Sequence, residues 1–233
     1  MTEKIMFEFR NVTKVYKNKF TAVKDINLSI EKGSFSFVVG KSGAGKTTLI
    51  KLLIKEVDPT EGQIVFNGED ITYLSNRKIP IHRRKVGVIF QDFRLLNKKT
   101  VYENIAFAME MVGQSPKNIR REVPTVLSMV GLSDKANNFP NELAGGEQQR
   151  IAIARAVVNK PELIIADEPT GNLDPETSYE IMKIFSEINR RGTTLLMVTH
   201  DRAIVDTMKK RVIELKNGKI IRDTVEGDYY HDI

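Results

Sequence analysis

The chain has 233 residues, 41% of them hydrophobic, which is enough to bury a full core as one domain with an insertion or as two domains. It contains no cysteine, which excludes disulfides, thiolate metal sites and cysteine nucleophiles. The net charge of +6 is spread over interspersed acidic and basic residues, a pattern typical of solvated faces, so we expect no specific nucleic-acid partner. No apolar run reaches the roughly 18 residues of a membrane span, and the N-terminus lacks the apolar core of a signal peptide, so we expect a cytosolic protein.

The N-terminal third predicts a small antiparallel sheet. Apolar and polar residues partly alternate over residues 5–16 and 20–30, with a polar turn between the two stretches. A further short strand ends at Asn67-Gly68, a strong hairpin signal. Tyr16 precedes the first turn, and such a ring could face a purine, although a single aromatic there is more typical of a packing residue.

A phosphate-binding loop follows the next apolar run. It matches the pattern G-x-x-x-x-G-K-[ST] and lies between a predicted buried strand, SFSFVV, and a predicted helix, KTTLIKLL. Its glycines let backbone N–H groups approach a triphosphate, and the helix adds its positive dipole end. We expect Lys46 to reach the β- and γ-phosphates and the Thr47 hydroxyl to bind Mg²⁺. The residues predicted to bind the triphosphate are Gly40, Lys41, Ser42, Gly43, Ala44, Gly45, Lys46, Thr47 and Thr48.

The middle of the chain predicts an inserted group of helices. A short buried strand over residues 86–90 ends at Gln91, an amide that carries both a donor and an acceptor. Residues 100–130 then have apolar positions three and four apart, with a polar break at 113–116. Gly145-Gly146 opens another helix, IAIARAVV, where a second anion could bind, although out of context such a pair is more typical of a simple helix-start turn.

Polar side chains end two predicted central strands in the C-terminal third. Asp167 and Glu168 follow one strand, where Asp167 can support a magnesium ion and Glu168 can orient or deprotonate a water. His200 follows the next strand, and Asp174 is suited to cap the helix between them. Ligands of open α/β sheets lie beyond the carboxyl ends of the strands, so we expect these groups to share a site with the phosphate loop.

Taken together, these residues resemble the ATP-binding-cassette (ABC) ATPases over essentially the whole chain. The resemblance is carried by Walker A at 40–47, the Q-loop at Gln91, the signature at 143–148, Walker B at 163–167, the D-loop at 172–174 and the switch histidine at His200. It implies an α/β fold, a P-loop NTPase core with an N-terminal antiparallel β-subdomain and an inserted α-helical subdomain. We expect one domain over residues 1–233, with the core at about 1–91 and 159–233 and the helical signature subdomain at about 92–158.

The resemblance also implies a Mg²⁺-dependent ATPase and assigns its residues. The implied catalytic residues are Glu168, His200 and Gln91. The implied metal ligands are Thr47, Gln91 and Asp167. The resemblance also implies that Tyr16 is the aromatic residue that stacks on adenine.

Because the chain carries each motif once, the resemblance implies a head-to-tail homodimer on ATP binding. Ala144, Gly145, Gly146 and Glu147 then contact ATP bound to the other chain, and Asp174 couples the two sites. The signature departs from the family pattern, since Ala144 replaces the usual serine and Glu147 the usual glutamine. We expect the backbone N–H groups of the two glycines to keep the anion site, with weaker closure.

Residues 79–113, together with GGEQQR and ADEPTGNLD, look like the cell-division branch of the family. That branch implies an FtsX-like integral membrane partner, control of cell-wall hydrolases, and a peripheral location at the cytoplasmic face of the cell membrane. A lipoprotein-release or efflux-type subunit shares these motifs. An ABC ATPase acting on DNA or ribosomes would carry coiled-coil arms or a second cassette, and the sequence predicts neither. A third alternative is a nucleotide-gated binding module with little turnover.

Phe93, Leu95 and Leu96 follow Gln91 and have two readings. They form core of the helical subdomain, or they line a groove that receives a cytoplasmic helix of the membrane partner. Acidic partner residues or anionic lipid would suit the nearby cations Arg83, Arg84, Lys98 and Lys99.

Overall fold

The computed structural model describes residues 5–227 and contains two β-sheets and seven α-helices in that range. The strands are β1 (Ile5–Val15), β2 (Thr21–Glu31), β3 (Phe35–Val39), β4 (Glu61–Phe66), β5 (Glu69–Asp70), β6 (Val86–Ile89), β7 (Leu163–Asp167), β8 (Thr194–Val198), β9 (Arg211–Lys216) and β10 (Lys219–Thr224). The helices are α1 (Lys46–Leu53), α2 (Ile79–Arg83), α3 (Val101–Glu110), α4 (Pro116–Met129), α5 (Gly145–Val157), α6 (Pro175–Arg190) and α7 (Arg202–Met208). Within the described residues, no helix combines the length and apolar character needed to cross a membrane.

The six-stranded sheet carries the predicted α/β core. Its strand order is β10-β9-β3-β8-β7-β6, and every pair from β9 to β6 is parallel. Strands β3 and β8 are buried at every position, which explains why their sequences are continuous apolar runs rather than alternating ones. The carboxyl ends of β3, β8, β7 and β6 therefore meet along one edge of the sheet.

The second sheet confirms the antiparallel prediction for the N-terminal third. Its order is β2-β1-β4-β5, and β1 pairs antiparallel with both neighbours. The β4–β5 turn is Asn67-Gly68, with φ of 50° and 81°, as a type I′ hairpin requires. One face of this sheet is buried through Phe7, Phe9 and Phe66, and the rings of the first two pack edge to face at 5.8 Å.

The predicted helical segment forms α3, α4 and α5, with the polar break between α3 and α4 where expected. Thr100 begins α3 with a capping box, since its hydroxyl accepts from the Glu103 amide and the Glu103 carboxylate accepts from the Thr100 amide. Ile105 and Ile151 belong to the same apolar cluster as core residues of β7 and β8. The helices thus share the core of the main sheet, and the subdomain boundaries at 92 and 158 stay a prediction.

Candidate active site

A cavity of about 860 Å³ lies at the carboxyl edge of the six-stranded sheet. The loops after β3, β6, β7 and β8 contribute to its wall, as the sequence predicted. It brings together the residues predicted for the phosphate loop, the metal and catalysis, namely Gly40, Lys41, Ser42, Gly43, Ala44, Gly45, Lys46, Thr47, Thr48, Gln91, Asp167, Glu168 and His200.

The loop between β3 and α1 has a backbone that only glycine fits at its two ends. Gly40 and Gly45 have φ of 147° and 110°. A Cβ atom at Gly40 would lie 2.3 Å from the Leu215 carbonyl oxygen, and one at Gly45 would lie 2.7 Å from the Ala22 carbonyl oxygen. The Lys46 ammonium folds over this loop and donates to the carbonyl oxygens of Gly40, at 2.6 Å, and Lys41, at 3.2 Å. The loop therefore curls around a single cation.

Backbone hydrogen bonds from both sheets hold the loop in this shape. The Gly218 amide, in the β9–β10 turn, donates to the Ala44 carbonyl oxygen at 3.0 Å. The Lys24 amide of β2 donates in turn to the Gly218 carbonyl oxygen at 2.8 Å. This relay of main-chain bonds ties the loop to both sheets.

Glu168 is held in place by His200. The His200 Nδ1 lies 2.8 Å from Glu168 Oε1, and the His200 amide donates to Oε2 at 3.2 Å. Since a carboxylate oxygen accepts, this contact assigns a ring proton to Nδ1, and the His200 side chain is 66% exposed. Glu168 has φ of 50°, a left-handed conformation that ends the alternation of β7 and turns its side chain away from the strand direction.

Asp167 occupies the last position of β7 and is half-buried. Burial, with a smaller contribution from the Glu168 charge, raises the pKa of the Asp167 carboxyl, while Lys46 and Arg94 act in the opposite direction. A partly desolvated carboxylate beside a hydroxyl and a phosphate loop suits a hard cation, which compensates the buried charge.

Gln91 is exposed at the end of β6 and reaches toward the D-loop. Its Nε2 lies 3.5 Å from Asn172 Oδ1, and a Cβ at Gly171 would lie 3.1 Å from the same nitrogen. Two residues further on, Asp174 caps α6 as predicted, because its carboxylate accepts from the Thr177 amide at 3.0 Å. Hydrogen bonds from Thr177 lower the pKa of the Asp174 carboxyl.

The signature residues lie in a different cavity, of about 480 Å³, at the start of α5. Ala144, Gly145, Gly146 and Glu147 line it together with Asp174, and within residues 5–227 its lining shares no member with the first cavity. The predicted second anion site therefore does not face the phosphate loop of its own chain. The Glu147 carboxylate accepts from the Ala144 amide at 3.0 Å, so one N–H group at this helix start is already bonded within the chain.

Two aromatic residues near the site differ in position. Tyr16 does not line the cavity, and its hydroxyl lies 3.5 Å from the Thr48 hydroxyl oxygen. Phe20, which is 54% exposed at the end of the same turn, does line it, as does Arg202 at the start of α7. Sequence reasoning missed both. The signals available were an apolar ring in an otherwise polar turn and a cation two residues after His200.

Comparison with known proteins identifies the family. The sequence profile of the ABC transporter family matches residues 23–171. The chain belongs to the ABC transporter family. The phosphate loop, Asp167 and His200 line one of the two cavities, and the signature residues and Asp174 line the other.

Curated members of the ABC family are similar over almost the whole chain. The chain is 53% identical to the cell division ATP-binding protein FtsE of Bacillus subtilis, over 96% of this chain and 98% of that protein. It is 52% identical to FtsE of Mycobacterium tuberculosis, over 98% and 100%. It is also 47% identical to FtsE of Escherichia coli K12, over 92% and 97%.

Solved ABC structures confirm the fold class. The post-hydrolysis dimer of the ATP-binding cassette MJ0796 with ADP and Pi matches with a TM-score of 0.85 and 35% identity, covering 96% of this chain and 100% of that one. CbiO1 of Clostridium perfringens matches with a TM-score of 0.90 and 30% identity, covering 96% and 90%. The chain is an ABC-type ATPase with a P-loop NTPase core.

Proposed function

We propose that the chain is the ATP-hydrolysing subunit of an FtsE-type complex that acts on an FtsX-like integral membrane partner in cell division. It closes as a homodimer on ATP at the cytoplasmic face of the membrane and controls cell-wall hydrolases through that partner. The single observation that carries the proposal is the similarity to FtsE proteins over almost the whole chain. The phosphate loop and the signature lie in different cavities, which agrees with ATP sites shared between two chains.

ATP would bind with its phosphates in the loop between β3 and α1. The Lys46 ammonium now bonds two carbonyl oxygens and would exchange them for the β- and γ-phosphate oxygens, which are stronger acceptors. Residues 42–47 line the same cavity, and the dipole of α1 would add positive charge there. The main-chain bonds that tie the loop to both sheets would reduce the ordering cost of binding.

The residues around the loop fit Mg²⁺. The Thr47 hydroxyl, the Gln91 amide oxygen and the Asp167 carboxylate all belong to the cavity wall and are hard oxygen donors. Asp167 would act from a half-buried position in which a cation offsets its desolvation. When bound, Mg²⁺ neutralises charge on the β- and γ-phosphates.

Glu168 would accept the proton of the attacking water on one carboxylate oxygen. His200 holds that carboxylate through Nδ1 and its amide, which fixes the oxygen in the cavity. The opposite nitrogen, Nε2, would then face the γ-phosphate side of the cavity. A general base in this geometry accelerates hydrolysis by about 10²–10⁴-fold.

A second copy of the chain would complete each ATP site. The phosphate loop supplies one anion cradle, and the start of α5 in the partner supplies the other, which its own chain turns away from the phosphate loop. Gly146 packs against α6 so closely that a Cβ there would lie 2.3 Å from Thr177 Cγ2. Since Asp174 caps the same helix, movement of the D-loop would reach the signature directly.

The membrane partner would dock in a groove of about 540 Å³ between α2, α3, β6 and α5. Its wall combines apolar and cationic side chains, including Pro80, Arg83, Arg84, Leu96, Phe107 and Met111. Met111 is 61% exposed, so its flexible apolar side chain is accessible to a partner in the groove. Leu96 lines this groove, whereas Phe93 and Leu95 are partly buried against the main core.

The test measures whether the chain captures the membrane partner and whether that partner stimulates ATP hydrolysis. The chain would be co-expressed with FtsX from the same bacterium, solubilised in detergent and pulled down, and phosphate release would be measured with and without the partner. We expect co-purification and faster hydrolysis with FtsX but not with a lipoprotein-release permease. Capture of that permease instead would identify the alternative transporter role, and binding of ATP without turnover in either complex would identify a nucleotide-gated module.

A further inference from the structure

Two consecutive residues of the Q-loop adopt a conformation that disfavours side chains. Phe93 and Arg94 have φ of 57° and 49°, and neither is glycine. Each left-handed non-glycine residue costs free energy relative to the usual regions, so two in a row require external support. They lie two and three residues after Gln91, which is proposed to bind the metal.

That support comes from Arg155 of α5. Its Nη1 donates to the Arg94 carbonyl oxygen at 2.6 Å, and its Nη2 donates to the Phe93 carbonyl oxygen at 2.8 Å. The planar guanidinium is the side chain best suited to bind two neighbouring acceptors at once. Within the described part of the chain Arg155 forms no ion pair, and its guanidinium contacts these two carbonyl oxygens instead.

Arg155 also belongs to the wall of the proposed docking groove, beside Leu96 and Ala156. On the other side of the clamped turn, the Arg94 guanidinium lies 3.6 Å from the centre of the Phe90 ring, at the end of β6. One side chain therefore joins the groove, the strained turn and the helix that begins with the signature. A partner helix in the groove would press on the residue that sets the shape of the Q-loop.

We propose that Arg155 is a positioning residue for hydrolysis, which clamps the Phe93–Arg94 turn and so passes occupation of the groove to Gln91. The inference rests on the proposed function, because it presumes a metal contact at Gln91 and a partner in the groove. Removing the clamp lets the turn relax, and Gln91 then spends less time in its working position.

The experiment compares Arg155→Met and Arg155→Lys with the wild-type full chain. Ser186→Ala is the matched control, because the Ser186 hydroxyl also bonds a carbonyl oxygen, that of Met182 at 2.8 Å, and Ser186 lines neither of the two cavities nor the docking groove. The first readout is limited trypsin digestion without nucleotide, followed by mass spectrometry at the Arg94–Leu95 bond. The Arg94 side chain is 58% exposed, so trypsin needs only release of the backbone. The second readout is the Mg²⁺ concentration that half-saturates hydrolysis, with ATP affinity in EDTA measured alongside.

We expect both arginine variants to be cut about tenfold faster at this bond and to need about tenfold more Mg²⁺, with ATP affinity in EDTA unchanged. Ser186→Ala should match the wild type in both readouts. Wild-type digestion of Arg155→Met would overturn the inference, and so would full rescue by Arg155→Lys, since a lysine cannot bridge both carbonyls. If the wild-type chain hydrolysed no ATP, the proposed function would fail while the digestion would still decide the clamp.

Discussion

Substitution of Glu168 by glutamine separates its chemical role from its structural one. The side chain is 14% exposed and receives two hydrogen bonds from His200. Glutamine has the same shape and still offers one acceptor oxygen, so it can keep the bond from the His200 amide. It cannot accept a proton from water, which removes the general base.

The expected loss follows from that difference. General-base catalysis contributes about 10²–10⁴-fold, so the variant should hydrolyse ATP at least about a hundred times more slowly, an increase of roughly 3–5 kcal/mol in the barrier. ATP binding should stay within about threefold of wild type, because the phosphate loop and its lysine are untouched. With turnover blocked, the ATP-bound homodimer should accumulate.

Phosphate release measures the hydrolysis rate, and light scattering after gel filtration with ATP measures the oligomeric state. Glu162→Gln is the matched control, because Glu162 precedes the other end of β7 and its carboxylate accepts from Asn67 Nδ2, far from the cavity. It should hydrolyse ATP normally. If Glu168→Gln kept more than about a tenth of the wild-type rate, Glu168 would not be the base. If it stayed monomeric with saturating ATP at every concentration, the shared-site dimer would be wrong.

Three further changes test other parts of the site. Lys46→Ala should weaken ATP binding by about a hundredfold or more, because a cation on two phosphate oxygens is lost, and a wild-type Kd by calorimetry would contradict the assignment. Ala144→Ser should tighten the ATP-dependent dimer by about 1.5–3 kcal/mol through a hydroxyl on the facing γ-phosphate. An unchanged dimer constant by analytical ultracentrifugation would mean that the backbone suffices. Phe93→Ala should lower stability by about 1–2 kcal/mol in urea titration, as expected for a partly buried ring, and leave partner capture intact. Leu96→Ala should weaken partner capture and leave stability unchanged. Loss of capture by the Phe93 variant alone would mean that the partner docks at Phe93 and not in the groove lined by Leu96.

Most of the fold could be predicted because its signals are local. The buried strands of the main sheet are short, continuous apolar runs, and the cap at Asp174 and the hairpin at Asn67-Gly68 use residue types with strong positional preferences. The clustering of the phosphate loop, the acid pair and His200 followed from one rule, that parallel strands present their carboxyl ends at a common edge.

Other features depend on three-dimensional contacts that no local pattern encodes. The left-handed turn at Phe93–Arg94 occurs without glycine because Arg155, some sixty positions later, holds it. The bond between His200 and Glu168 likewise joins residues 32 positions apart. The position of Tyr16 beside Thr48 rather than in the cavity wall depends on how the β1–β2 turn folds over α1.

The order of strands in the main sheet fixes the spacing of the site residues along its carboxyl edge. Neighbouring strands lie about 4.8 Å apart, so the three steps from β3 to β6 span about 14 Å, and the loops along them come in the fixed sequence phosphate loop, His200, acid pair and Gln91. The strand register fixes how far each residue lies along the strand direction, since Val38, Val198 and Asp167 lie opposite one another across three strands. Loss of one residue from β7 would withdraw both acids by about 3.3 Å and exchange the faces on which they lie. The connecting loops can therefore change length during evolution, whereas the strand lengths are tied to the dimensions of the ligand.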